Sequence, residues 1–407
     1  MNTSYGNKKE IVFFYRGEYP NGSNALRTRN MMKGLELNGI TTKIIVTYPP
    51  PNKIHEHKVS PDEIFTLKPK IFPLKSYQQI LLKIVGSIRG YFELLKRKEQ
   101  ITAVFLAAPG FLEGILVYLY CKLHKTRFIV ERGDVIRWKY SETKISFVQK
   151  LAILQDKLFD KWILIHCDVL FVVSSYLEKE YSNRMPTGRV QRIQPTFINL
   201  DEYDIIKNRD LSPAVMNKMP IKSQDIVRVM YAGSCLETNG IKNFLNAADN
   251  IYKKDFQKIE ILLILNVGRI DEIKIFTSNL SMRNNVYIIT GLLYNDVVAI
   301  YNTADILVIP EMGDIVANAG FPSKTSEYLA SGKAIISTIF SDLGDYLVHE
   351  KNAMLSPVKD LHLYQHNLQR LISEKSLREY LGKNGRETAR RHFDVTEGVR
   401  KIIGYLN

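Results

Sequence analysis

The chain has 407 residues, 45% of them hydrophobic and 24% charged, with 56 Lys and Arg against 42 Asp and Glu for a formal net charge of +14. That balance excludes a disordered chain and is ample for two domains with cores of their own. Three cysteines, Cys121, Cys167 and Cys235, are too few and too scattered for a disulfide framework or a Cys-x-x-Cys metal site, and they read as reduced core residues. The strongly apolar helical stretch around Ile115 to Cys121 is far short of the roughly 20 residues that span a bilayer. Met1 to Lys9 is polar where a signal peptide would be apolar, so a cytoplasmic location is expected. The charge is unevenly placed: residues 1–200 hold 31 Lys and Arg and 17 Asp and Glu, whereas residues 201–407 hold 25 and 25. A basic half beside a neutral one implies two domains with different partners, and an anionic membrane surface or a nucleic acid would each suit the basic half.

In chain order, Glu10 to Tyr15 reads as a first buried strand and Arg16 to Asn24 as a loop with Gly17, Pro20 and Gly22. A helix then runs to about Leu37, Asn38-Gly39 ends it, and Thr42 to Thr47 is the next strand, which makes the βαβ unit of a doubly wound parallel sheet. No Gly-x-Gly-x-x-Gly occurs in the loop, so a dinucleotide site has no support. From Ile71 to Lys98 the pattern is helical, apolar and basic, with Leu81, Ile84, Ile88 and Phe92 among Lys83, Arg89 and Lys96. Such a helix either packs one apolar face on the sheet or lies in an anionic headgroup layer. The alternation continues with a strand at Ala103–Ala107, a helix at Gly110–His124 and a strand at Arg127–Val130. That strand ends in Glu131-Arg132-Gly133-Asp134, polar groups placed where this class of sheet meets its ligands. His124 and His166 lie in helical patterns and read as structural or surface residues. A helix at Ile145–Ile165, a strand beginning at Cys167 and a Ser-capped helix after Ser174 complete the first half.

The polar stretch Lys207 to Asp225, with Pro213 and Pro220, reads as a domain boundary. Val227 to Ala232 opens a second sheet and is followed by Gly233-Ser234, with Lys242 a few residues on. Further strands fall at Ile259–Leu265 and Asn285–Thr290, the latter leading into Leu292-Leu293-Tyr294. Ile306 to Pro310 and Ala334 to Thr338 are two more buried strands, and the segment between them is the most informative in the chain. It reads as a loop from Glu311 to Phe321, then a helix opened by Pro322-Ser323 and closed by Gly332. Ser323, Lys324 and Glu327 cluster at the start of that helix. A helix start with a lysine suits a phosphate, and a glutamate one turn in suits two vicinal hydroxyls such as those of a ribose. The alternative is a helix whose Lys and Glu face only water.

The run Ala319-Gly320-Phe321-Pro322-Ser323-Lys324-Thr325-Ser326-Glu327-Tyr328-Leu329-Ala330-Ser331-Gly332-Lys333 resembles the donor-binding signature of the retaining glycosyltransferase family 4, also called glycosyl transferases group 1. The resemblance implies a GT-B fold, two Rossmann-like doubly wound domains facing an interdomain cleft. The expected division is 1–204, completed by a last helix at about 396–407, and 205–395. It implies sugar transfer from a nucleotide-diphosphate sugar held on the C-terminal domain, with no cofactor beyond that donor and no metal, since no Asp-x-Asp occurs. By the same resemblance Gly22, Gly233, Ser234, Lys242, Leu292, Leu293, Tyr294, Gly320, Phe321, Ser323, Lys324 and Glu327 fall at donor-binding positions, with Lys324 and Asp134 as the catalytic candidates. Two departures stand out: Ala319 replaces the first of the family's two glutamates, and Asn239 replaces a diphosphate-gripping lysine. Asn318 and Asp314 are either substitutes for the missing glutamate or turn residues.

The expected acceptor is a lipid-linked saccharide of bacterial surface-polysaccharide (capsule-type) assembly, met by the basic domain at the inner face of the plasma membrane. Nucleic acid is not expected as a partner, because no stacked aromatic-basic motif or zinc spacing is present. The alternatives are an inactive GT-B subunit that partners a glycosyltransferase and, less favoured, an enzyme of another class on the same fold.

Overall fold

Runs of aliphatic and aromatic residues without a polar alternation must be covered on both faces, and in this chain they form the central strands of two parallel sheets. The structure is a computed structural model and describes residues 10–17, 19, 22–48, 60–67, 76–107, 110–135, 147–223, 225–236, 240–255 and 259–406. The chain divides into two units, Met1–Phe197 with Val395–Asn407, and Ile198–Asp394.

In the first unit the order is β1 (Glu10–Arg16), α1 (Ser23–Leu37), β2 (Thr41–Tyr48), β3 (Glu63–Phe65), α2 (Ser76–Lys96), β4 (Ile101–Ala107), α3 (Phe111–His124), β5 (Arg127–Arg132), α4 (Phe147–Trp162), β6 (Val169–Val172), α5 (Ser175–Ser182) and β7 (Val190–Arg192). The second unit holds α6 (Leu200–Lys207), α7 (Pro213–Met216), β8 (Val227–Cys235), α8 (Ile241–Asp255), β9 (Ile259–Gly268), α9 (Ile270–Ser278), β10 (Val286–Thr290), α10 (Tyr294–Tyr301) and β11 (Ile306–Ile309). It continues with α11 (Ile315–Ala319), α12 (Lys324–Ser331), β12 (Ala334–Ile339), β13 (Met354–Pro357), α13 (Leu361–Ser373) and α14 (Lys375–His392). Finally α15 (Val395–Gly398) and α16 (Arg400–Leu406) rejoin the first unit, where Gly34 of α1 leaves room for the Val395 carbonyl.

The first sheet has the order β3-β2-β1-β4-β5-β6-β7 and the second β10-β9-β8-β11-β12-β13. Neighbouring strands in both run parallel, as in the pairing of Phe13 with Ile44 and Phe105 or of Leu307 with Met230 and Ile335. Both sheets are doubly wound, as the alternation of strands and helices implies. Ser174 caps α5 as expected, accepting from the Leu177 N–H at 3.3 Å. The three cysteines are buried free thiols, and burial pushes that of Cys167 up to about 12.

The structure departs from the sequence reading in several places. The second unit begins at Ile198 rather than at 205, and α6 and α7 occupy the stretch expected as linker and boundary loop. β3 and β7 are three-residue edge strands, set by pairing with β2 and β6 and too short to show a period. The expected helix from Ser341 to Val348 is instead a 3-10 segment at Ser341–Asp345, where Ser341 has a left-handed φ of 48°. The expected loop from Glu311 to Phe321 contains α11, because the Asp314 carboxylate caps it by accepting from the Ala317 N–H at 2.7 Å.

Candidate functional site

In the second sheet the connections from β8 and β11 leave in opposite directions, which opens a crevice at the carboxyl ends of these neighbouring strands. β8 runs out through Gly233 and Ser234, and β11 through Pro310 and Glu311. Gly233 has a φ of 148°, in the region that favours glycine. A β-carbon there would lie 3.1 Å from Lys324 Nζ and 3.2 Å from the Tyr231 hydroxyl, so the first residue of α12 reaches back to the end of β8. The Lys324 ammonium sits 4.2 Å from the Tyr231 ring centroid and 3.9 Å from Glu311 Oε1. The Tyr231 hydroxyl is fixed by donating to the Ser234 carbonyl at 2.6 Å.

Burial lowers the pKa of Lys324, and the charges of Glu311 and Glu327 oppose that shift. Glu327, one turn along α12, is pushed up to about 7 by burial, against hydrogen bonds from Tyr301 and Tyr294 and the charge of Lys324. The Tyr301 hydroxyl donates to Glu327 Oε2 at 3.1 Å, and the Tyr203 hydroxyl donates to the Glu327 carbonyl at 2.9 Å. Tyr328 on the same helix accepts from the Ala232 N–H of β8 at 3.0 Å and packs edge-on to Tyr301 at 5.2 Å. Four tyrosines from α6, α10 and α12 thus hold the Glu327 turn in place.

The sequence candidates Gly233, Ser234, Tyr294, Lys324 and Glu327 therefore come together. Ser323 precedes α12, exposed, and its hydroxyl does not cap the helix. Gly320 accepts from the Ser341 hydroxyl at 2.5 Å, and the Phe321 ring packs on Tyr346 and Phe393 at 5.5 and 6.2 Å. Leu292 packs on the core and Leu293 is 56% exposed at the start of α10. Lys242 extends along α9, 3.8 Å from Glu272 and 5.8 Å from the Phe276 ring centroid. In the first unit, Gly22 caps α1 with a φ of 101°, and Asp134 is exposed two residues beyond β5. Its neighbours Glu131 and Arg132 are committed to buried ion pairs, Glu131 with Arg27 at 2.7 Å and Arg132 with Asp156 at 2.7 Å. Asn239 lies outside the described residues. Asn318 is a loop tie, its amide donating to the Gly313 carbonyl at 2.9 Å and accepting from the Ser341 N–H at 2.8 Å. Ala319 is fully buried.

Glu311 and the tyrosines at 203, 231 and 301 were not singled out by the sequence reading. Glu311 had a signal, a carboxylate directly past a fully buried parallel strand; the tyrosines looked like core or boundary residues.

One glycine ties the site to the fold. Gly240 has a φ of 62°, and a β-carbon on it would sit 1.7 Å from the Pro310 carbonyl oxygen just beyond β11. Gly240→Ala is expected to lower stability by about 2 kcal/mol or more, through left-handed strain and the clash. The check is a lower urea midpoint at unchanged slope.

Comparison with known proteins agrees with this fold. Residues 216–388 match the family described as glycosyl transferases group 1. Sucrose-phosphate synthase from Thermosynechococcus elongatus is 16% identical at a TM-score of 0.71, covering 98% of this chain and 99% of its own. A glycosyltransferase from Rickettsia africae ESF-5 is 16% identical at a TM-score of 0.70, covering 98% of each chain. HepE from Anabaena, in complex with UDP-glucose, is 12% identical at a TM-score of 0.64, covering 98% of this chain and 99% of its own. No curated protein sequence matches. The chain has the GT-B fold of these glycosyltransferases, and the stretch that matches the glycosyl transferases group 1 family lies within its C-terminal unit.

Proposed function

We propose that this protein is a retaining, metal-independent glycosyltransferase that moves a sugar from a nucleotide-diphosphate sugar to a lipid-linked saccharide, in surface-polysaccharide assembly at the inner face of the plasma membrane. The observation that carries the donor half of this reading is the meeting of Gly233, Lys324 and Glu327 at the switch point of the second sheet. A recessed ammonium beside a residue with no side chain offers a diphosphate both charge and close backbone approach. On departure of the nucleoside diphosphate, Lys324 stabilises the negative charge that builds on the leaving oxygen. Glu327, steadied by tyrosines, accepts from the ribose hydroxyls. Among the described residues no three His, Cys, Asp or Glu side chains gather where they could hold a metal ion, and in this reading Lys324 supplies the positive charge.

Retention rests on the family resemblance, and the lipid-linked acceptor on the basic first unit, where Asp134 is the candidate group at the carboxyl end of β5. No described helix is long and apolar enough to cross a membrane, so contact with lipid in this reading is peripheral. Ala319 leaves the family's sugar-contacting glutamate without a counterpart at that position, and Glu311, 3.9 Å from the Lys324 amine, is the carboxylate the site offers in its place.

The test is calorimetry with UDP, GDP, ADP and dTDP on wild type and on Glu327→Ala. One nucleotide binds in the micromolar range and the variant weakens it; the sugar form of that nucleotide is then the donor for transfer and hydrolysis assays. If none binds more tightly than millimolar, the donor site is lost and the inactive-subunit reading takes over.

A further inference from the structure

α2 is apolar on two opposite sides. Inward, Gly86 and Gly90 leave no room for a β-carbon against the Thr47 carbonyl and the Phe14 ring, and Leu94 is fully buried. Outward, Ile80, Ile84, Ile88 and Phe92 recur every fourth residue and, with Leu81, are 41–59% exposed. A helix on the outside of a domain ordinarily presents polar groups there. The apolar character continues across the adjoining helices: α3 packs on α2, α4 packs on α3 through Gly114 and Phe159, and Leu119, Leu123, Leu154 and Trp162 stand exposed on them.

Charge on this face has one sign. α2, α3 and α4 contain four acids, and none is exposed. Glu113 is buried, Asp156 and Asp160 pair with the buried Arg132, and Glu93 pairs with Lys96 at 2.6 Å. The bases, by contrast, point outward: Arg89 and Lys96 on α2, Lys122 on α3, and Lys150, Lys157 and Lys161 on α4 are all exposed. Trp162, with Lys161 5.8 Å from its ring centroid, has the amphipathic make-up of an interfacial anchor.

We propose that the outer faces of α2, α3 and α4 form a membrane-docking surface for anionic phospholipid. Apolar side chains enter the headgroup boundary while the surrounding ammonium and guanidinium groups meet lipid phosphates. A second copy of the chain is a poor occupant, because pairing two such faces would bring like charges together. This deepens the lipid-linked-acceptor reading by giving the surface on which the enzyme would rest.

The full-length protein is floated with vesicles of phosphatidylcholine alone and with mixed phosphatidylcholine–phosphatidylglycerol vesicles. It is expected to bind the mixed vesicles, less so as salt rises. Ile84→Glu with Ile88→Glu should lower the partition coefficient by about tenfold or more while leaving the urea midpoint and nucleotide binding unchanged. Lys157→Glu with Lys161→Glu should remove the preference for the mixed vesicles. Failure of the wild type to bind mixed vesicles overturns the proposal, as does wild-type binding by the variant carrying Ile84→Glu and Ile88→Glu. Dimerisation of the wild type that this variant abolishes, with vesicle binding unaltered, would mark the face as a protein interface instead. Nucleotide binding without vesicle binding sinks this proposal alone; vesicle binding without nucleotide binding sinks the donor-site reading alone.

Discussion

Lys324→Ala is expected to lower the rate of sugar transfer by about 10²–10³-fold, the range seen when one pre-aligned stabiliser of a developing charge is removed. The size follows from the position. The ammonium is recessed, its pKa is lowered by burial, and its nearest charged partner is the Glu311 carboxylate at 3.9 Å. Breaking the bond to the sugar adds a negative charge to the already anionic diphosphate, so the lysine would interact more strongly with the transition state than with the intact donor. The loss should fall mainly on kcat, because binding of the intact donor also draws on Glu327. Lys324→Arg should rescue only partly: the ammonium rests 4.2 Å from the centre of the Tyr231 ring, and a β-carbon on Gly233 would lie just 3.1 Å from it, which leaves little room for a planar guanidinium. Single-turnover rates with the nucleotide sugar that wild type accepts are the measurement. A kcat within threefold of wild type for the alanine variant would remove Lys324 from the catalytic role.

How much of this was legible before the fold was known differs by residue. The α12 segment was readable because its ends carry local signals: Pro322 precedes it, and Gly332 closes it with a left-handed φ of 72°, a conformation glycine adopts without cost. The placement of Gly233 and Glu311 was implied by strand periodicity, since both directly follow or end apolar runs that form neighbouring parallel strands. The support around Glu327 was not readable. Tyr301 donates to the Glu327 carboxylate and Tyr203 to its backbone carbonyl across separations of 26 and 124 residues, and only tertiary packing brings them to that one turn. Similarly, the spacing of Ile84, Ile88 and Phe92 revealed an apolar stripe, but helical periodicity alone cannot say which of two apolar sides a sheet will cover.

Glu327 yields the second large effect, with opposite signs for binding and for stability. Burial raises its pKa from 4.5 to about 7, so the native state takes up a proton that the unfolded chain does not hold between those values. Stability therefore falls as pH rises through that window, by about 1 kcal/mol between pH 6 and 8. Glu327→Gln removes the titrating group and should flatten that dependence, leaving the variant relatively more stable above pH 7. Donor binding runs the other way. In the proposed reading the ionised carboxylate accepts from two ribose hydroxyls, so affinity for a nucleotide sugar should increase as pH rises through about 7. Glu327→Ala, which loses both charge-assisted hydrogen bonds, should weaken binding by about 3 kcal/mol, or roughly 100-fold. The nucleotide sugar is the right probe, because its diphosphate is esterified at both ends and does not itself titrate near neutrality. Calorimetry across this pH range, paired with urea unfolding on the same samples, reads both signs at once. If affinity is flat with pH while stability falls as stated, Glu327 titrates in the fold but does not touch the donor, and the ribose assignment fails.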